Sequence, residues 1–169
     1  MIYVCPLSRL DDTVINVRAR QLVSVLNAGT PMTRPAAIRE QDHLLLNMND
    51  IAEAREGLTS PGEEHVRRLL EFATLWDRSS PLVINCYAGI SRSTASAYII
   101  ASTLSPSRDE AELAATLRRM SPSATPNPLL ISIADRVLGR GGRMVAAIRA
   151  IGRGADAFEG TPFALRVDP

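Results

Sequence analysis

Short apolar runs alternate with longer stretches of helical periodicity along this chain. Ile2-Tyr3-Val4-Cys5 reads as a first strand, and Asp11 or Asp12 then caps a helix over residues 13–20. Leu22 to Leu26 makes a second strand, stopped by Asn27-Ala28-Gly29, and Pro31 to Pro35 is a loop. His43 to Leu46 is a third strand, followed by a polar stretch from Asn47 to Ser60 that is mostly loop. Ser60-Pro61 starts a helix, with a cap residue, proline at the first helical position and Glu63-Glu64 in the first turn. Val66, Leu69, Leu70, Ala73 and Trp76 then recur at helical spacing. Pro81 to Asn85 is a fourth strand, apolar through its centre as suits a parallel strand covered on both faces. Helices follow over Ser93–Leu104, from a Ser107/Glu110 capping box, over Asn127–Leu138 and over Met144–Ile151. This alternation predicts an α/β fold with a central, mainly parallel sheet of about four to five strands flanked by helices.

Length fits a single domain over residues 1–169, with its core in residues 1–138 and a helical or tail extension over residues 139–169. An apolar content of 46% is ordinary for a globular protein. No apolar run is long enough to span a bilayer, and Met1 to Pro6 lacks the layout of a signal peptide. The expected setting is cytoplasmic, away from membranes.

Charge narrows the chemistry further. All 19 basic residues are arginine, against 18 acids, for a net charge of +1. Without lysine there is no phosphate-binding loop of the G-x-x-x-x-G-K type and no Schiff-base enzyme. A near-neutral balance makes nucleic acid an unlikely partner. Two cysteines and two histidines, far apart, match no zinc spacing, so neither metal nor other cofactor is expected. Arg136, Arg140, Arg143, Arg149 and Arg153 form a basic stretch without an acid. A solvated helix face explains it most simply, and docking of an acidic partner is the functional alternative.

In open parallel sheets, ligands bind beyond the carboxyl ends of the strands. The loop leaving the fourth strand reads Cys86-Tyr87-Ala88-Gly89-Ile90-Ser91-Arg92-Ser93. Gly89 allows a left-handed turn, so that successive amides curl around one point and the next helix adds its positive end. Arg92 supplies a two-pronged clamp for phosphate oxygens. Cys86 at the bottom of this nest is favoured as thiolate, and Ser93 can donate a hydrogen bond to it. A cysteine six residues before an arginine is weak by itself: about 0.2 such pairs arise by chance here, and about 0.002 once the glycine and the following hydroxyl are required. A buried, inert cysteine in a strand-to-helix turn is the competing reading.

Cys86 to Ser93 resembles the nucleophile loop of the cysteine-dependent protein tyrosine phosphatase superfamily, and Gly-Ile-Ser-Arg-Ser is most similar to its dual-specificity branch. The resemblance runs from about His43 to Leu138. It implies a protein tyrosine phosphatase-like fold and hydrolysis of phosphate monoesters on a phosphorylated protein or small phosphomonoester, through a cysteinyl-phosphate intermediate. It also implies catalytic roles for Cys86 and Arg92, and phosphate binding by Tyr87, Ala88, Gly89, Ile90, Ser91 and Arg92. Asp50, 36 residues before the cysteine in a loop after the third strand, is similar in context to the family's general acid. A plain turn residue is the alternative there. Asn127 matches an asparagine that helps order the second-step water, and a helix cap explains it equally well. Members of the family carry histidine directly before the cysteine, where this chain has Asn85. Asparagine keeps some hydrogen bonds but brings no positive charge, which opens a reading as a phosphate-binding module with weak or no turnover. Aromatic residues are absent from residues 27–71, where a phosphotyrosine-selective member would carry an aromatic wall. Tyr87, Ala88 and Ile90 bring no basic side chain to the loop, so highly charged phosphates are disfavoured. Cys5 reads as a small buried apolar residue.

Overall fold

The computed structural model describes residues 1–167. Chain order is β1 (Ile2–Pro6), α1 (Leu10–Val17), β2 (Gln21–Leu26), β3 (His43–Asn47), α2 (Glu63–Leu75), β4 (Leu82–Cys86), α3 (Arg92–Leu104), α4 (Glu110–Met120), α5 (Pro128–Val137), α6 (Arg143–Ile151) and β5 (Phe163–Leu165). The sheet order is β3-β2-β4-β1-β5. β1, β2, β3 and β4 pair in parallel, whereas β5 lies antiparallel against the edge of β1. The fold is α/β, with helices covering a mostly parallel sheet.

Alternation along the central strands divides the apolar residues between two cores. Leu82, Ile84 and Cys86 face α2, α3 and α5, together with Val23, Val25, Tyr98 and Leu130. Val83, Leu22 and Cys5 face α1, with Leu10, Val14 and Ile38. α3 is buried without a break from Arg92 through Ser102, so it has no solvated face and its sequence carries no amphipathic stripe. Its small residues let it sit between the sheet and its neighbouring helices. Its hydroxyls turn back on the helix: Ser96 Oγ donates to the carbonyl of Arg92 and Thr103 Oγ1 to that of Ile99.

Three element boundaries differ from the sequence reading. α1 begins at Leu10 and ends at Val17, where Arg18 turns left-handed at φ 55°. A 3-10 turn over Leu7–Arg9 leads into it, which places Asp11 and Asp12 in the first turn, opposite the helix dipole, rather than at the cap. α2 starts after Gly62, not at Ser60-Pro61, and His65 Nδ1 accepts the Gly62 N–H at 3.0 Å. α4 is capped by Asp109, not Ser107: Asp109 Oδ1 accepts the Glu112 N–H at 2.8 Å. β5 carries too few residues to show as a pattern.

The segment after residue 138 is tied into the body. Buried Asp135 accepts the N–H groups of Gly142 at 2.6 Å and Met144 at 2.8 Å, capping α6 from α5. Arg140 and Arg143 both reach Glu110 Oε1, at 3.3 and 3.1 Å, and Arg153 pairs with Asp156. Three of the five arginines of the basic stretch thus have internal partners, although Arg143 and Arg153 stay exposed along with Arg136 and Arg149. Among the described residues no helix is long and apolar enough to cross a membrane.

Candidate active site

β4 delivers Cys86 at its carboxyl end, beside the ends of β2 and β1, and α3 starts six residues later at Arg92. Between them the chain turns at Gly89, with φ 70°. A Cβ there would stand 2.7 Å from the Pro6 nitrogen and 2.9 Å from the Cys5 carbonyl carbon, so both the dihedral and the space demand glycine.

Four of the loop's carbonyls are held by named donors. That of Tyr87 accepts from Leu7 N–H at 3.0 Å, and that of Ala88 from Gly160 N–H at 2.7 Å. Ile90 O accepts from Thr125 N–H at 3.0 Å, and Ser91 O from Ala95 N–H at 2.9 Å and Asn127 N–H at 3.3 Å. Each peptide unit is planar and trans, so a carbonyl held outward turns the next N–H inward. The amides of Ala88, Gly89, Ser91 and Arg92 thus face the loop's centre. Gly89 N–H does so visibly, reaching Cys86 Sγ at 3.2 Å. Ser93 Oγ lies 3.0 Å from the same sulfur. The result is a nest of donors around a buried thiol.

Arg92 is buried, and its Nη1 donates to Asn27 Oδ1 and to the Met48 carbonyl, both at 2.7 Å. These two anchors, one just past β2 and one just past β3, fix the plane of the guanidinium. Its Nε is buried without a hydrogen-bond partner and lies 3.7 Å from Asp50 Oδ2. Asp50 Oδ1 in turn accepts from Ser91 Oγ at 2.7 Å and Asn127 Nδ2 at 2.8 Å. Asn127 is the helix cap that the sequence offered, and it also reaches across to Asp50. Its Oδ1 caps α5 by accepting from Leu129 and Leu130 N–H, and its Nδ2 holds Asp50.

Asn85 is directed to the other face of the sheet, behind the loop. It pairs laterally with Ser24 on β2 and Cys5 on β1. Ser24 Oγ is 2.6 Å from Asn85 Oδ1 and 3.0 Å from His43 Nε2. A hydroxyl has one proton; given to Asn85, it leaves His43 Nε2 as the donor to Ser24. Burial, and then the nearby Arg34, hold the His43 pKa below its usual value. Asn85 Nδ2 is buried without a partner. Cys5 completes this back row. Burial pushes its thiol pKa up to about 12, with the proximity of Cys86 adding to the rise and a hydrogen bond to Thr13 opposing it. Cys5 and Cys86 point to opposite faces of the sheet and are free.

Cys86, the 87–91 loop, Arg92, Ser93, Asp50 and Asn127, all nominated from sequence, therefore converge. Asn27, Ser24, His43 and Gly160 were not nominated for this site. Asn27 had a legible signal, since it directly follows a strand in the row of carboxyl ends that includes Cys86. The others follow from register and chain return, which sequence spacing does not show. A cavity of about 370 Å³ opens beside the loop, lined by Asp50, Ser91, Asn127, Arg153 and Asp156 among others.

This architecture, with a five-stranded sheet and a cysteine-arginine loop closing onto a buried helix, is the fold of the cysteine-dependent protein tyrosine phosphatases, dual-specificity-like branch. Among solved structures, the chain is similar to DUSP15, at 16% identity, TM-score 0.63 and 89% coverage of each chain. Human DUSP28 superposes at 14% identity and TM-score 0.61, covering 88% of this chain and 94% of that one. The human tyrosine phosphatase-like serine/threonine/tyrosine-interacting protein does so at 13% identity and TM-score 0.62, covering 83% and 92%. At these identities the likeness is one of fold. No protein-family model matches the sequence, and no curated protein does.

Proposed function

We propose that the protein is a cysteine-dependent phosphatase acting on phosphate monoesters of phosphoproteins. The observation that carries this reading is Arg92: a buried guanidinium pinned through Nη1, with its Nε free of hydrogen bonds and 3.7 Å from Asp50 Oδ2, at the end of the loop that begins at the Cys86 thiol. A buried donor without a hydrogen bond is costly, and a tetrahedral oxyanion held by Arg92 and the amides of 87–92 satisfies it.

In the proposed reaction Cys86 Sγ attacks phosphorus, forming an S–P bond as the bond to the leaving oxygen breaks. Asp50 gives that oxygen its proton. Oδ1 is occupied by Ser91 and Asn127, so Oδ2, on the Arg92 side, is the oxygen that carries the proton. Water then attacks the cysteinyl phosphate and passes a proton to Asp50, and the S–P bond breaks to release phosphate. Charge stabilisation by the nest and Arg92 supplies most of the acceleration. A reducing, cytoplasmic setting suits a free thiol in this role.

Turnover of para-nitrophenyl phosphate tests the proposal. Purified protein should release nitrophenolate well above a Cys86→Ser control, and Asp50→Asn should remove the basic limb of the pH–rate profile. A second reading rests on Asn85: with an amide in place of histidine, the nest binds phosphate without turning it over. Tungstate or phosphate binding with no release above the Cys86→Ser control would favour it.

A further inference from the structure

We propose that Asn127, together with Ser91, is a positioning residue for the general acid and takes no part in orienting the second-step water; this rests on the reading of Asp50 as the proton donor. Asn127 is only 2% exposed, so the polar atoms of its side chain have to find partners inside the protein. All four of its hydrogen-bonding capacities are taken. Oδ1 accepts from the N–H groups of Leu129 and Leu130, at 3.1 and 3.0 Å. Nδ2 donates to Asp50 Oδ1 at 2.8 Å and to the Ile51 carbonyl at 3.2 Å. Two donors on one side and two acceptors on the other admit one orientation of the amide. An asparagine offers two lone pairs and two N–H groups, and none of these is left over for a water.

The amide holds the acid instead. Nδ2 grips the Asp50 carboxyl and the carbonyl of the next residue, Ile51, so it fixes both the side chain and the backbone that carries it. Ser91 Oγ donates to the same Asp50 Oδ1 at 2.7 Å. The preceding residue is braced from the other side: Asn49 N–H donates to the Thr59 carbonyl at 2.7 Å, and Asn49 Oδ1 accepts the Thr59 N–H at 2.9 Å. The Asp50 side chain is 37% exposed, so without these contacts it would exchange rotamers in water. Two donors on Oδ1 also decide which oxygen bears the proton. A protonated carboxyl donates through one oxygen and accepts through the other. Oδ1 is the accepting one, which leaves Oδ2, 3.7 Å from Arg92 Nε, to present the proton to the leaving oxygen. Proton transfer requires the acid within hydrogen-bond reach, and a carboxyl held there beforehand loses nothing to reorientation.

Holding the acid and orienting the water belong to different halves of the reaction. A positioned acid acts as the S–P bond forms and the P–O bond breaks: the proton moves from Asp50 Oδ2 to the leaving oxygen, and Asp50 is left as the carboxylate. Its effect grows with the basicity of the leaving group. Phenolate, chemically the side chain of tyrosine with a pKa of about 10, needs that proton, whereas nitrophenolate leaves as a stable anion. A residue that orients water acts only after the leaving group has departed, and its effect is the same for every leaving group.

Kinetics with phenyl phosphate and para-nitrophenyl phosphate separate the two. Asn127→Ser keeps a capping oxygen at the start of α5 but removes both N–H donors. Its kcat/KM, which reads the steps through formation of the cysteinyl phosphate, should fall at least about tenfold further for phenyl phosphate than for nitrophenyl phosphate. Ser91→Ala, which leaves the α5 cap in place, should show the same split at smaller size, and Asp50→Asn should show it in full. In the Asp50→Asn background, Asn127→Ser should lower kcat/KM for phenyl phosphate no further. Equal losses on the two substrates overturn the role. So does an unchanged kcat/KM with a lowered kcat and a burst of nitrophenolate, which would put Asn127 in the water step. Turnover by the unaltered protein no faster than the Cys86→Ser control overturns the phosphatase reading and this role with it.

Discussion

Removing the hydroxyl of Ser24 is the sharpest test of the row behind the nucleophile. Ser24 and Asn85 are both fully buried, and their side chains meet at 2.6 Å. Ser24→Ala strips Asn85 Oδ1 of its donor, in a residue whose Nδ2 already lacks a partner. The space vacated by one oxygen is too small for a water to enter. His43 is half-buried and can turn its Nε2–H to solvent, so the cost falls on Asn85. Leaving a buried acceptor unpaired costs about 1–3 kcal/mol, so a loss of about 2 kcal/mol is expected. For a domain of this size that lowers Tm by roughly 4–8 °C. Asn85→Leu with Ser24→Ala leaves no orphaned group, and a double-mutant cycle should return about 1–2 kcal/mol of coupling. Urea unfolding at pH 7, followed by circular dichroism, measures all four corners. Nitrophenyl phosphate turnover should fall in Ser24→Ala, because Asn85 is the peptide neighbour of Cys86. A loss below about 0.5 kcal/mol, or coupling near zero, would refute the argument.

Four further outcomes are expected. Gly89→Ala should abolish phosphate binding and destabilise the fold by at least about 1–2 kcal/mol, since it forces an alanine to φ 70° and against the backbone of Pro6; calorimetry and urea unfolding check it. Arg92→Lys keeps the charge but loses the fork that spans Asn27, Met48 and the open seat, so tungstate affinity should fall at least about tenfold. At alkaline pH the unfolded chain releases the Cys5 proton above its ordinary 9.0, while the folded chain keeps it until about 12. Stability should therefore fall with rising pH across that window by up to about 1.4 kcal/mol per unit, and Cys5→Ala should show a shallower slope. At acid pH the sign reverses for His43, whose folded pKa lies below 6.5: the unfolded chain takes up a proton first, so stability falls as pH drops below 6.5. His43→Asn should flatten that part of the curve in urea titrations at pH 7.0 and 5.5.

Local chemistry made much of this protein readable before its structure. The apolar run at Leu82–Asn85, a glycine and an arginine in a fixed frame, and proline- and asparagine-marked helix starts are signals held within a dozen residues. They sufficed for the α/β class, the parallel centre and the loop at Cys86. Asp50 and Asn127 were nominated through the family resemblance, from their places in loops relative to the cysteine. What spacing could not reach was set by strand order. Because β2 and β1 flank β4, Ser24 and Cys5 fall beside Asn85, and Asn27 falls within reach of Arg92. The return of the chain was equally hidden. Gly160 contacts Ala88 and β5 seals the edge of β1 only because α6, capped from Asp135, aims the following segment back across the loop. Side-chain identity decides which chemistry is available; packing of the whole chain decides which groups share the few ångströms in which that chemistry occurs.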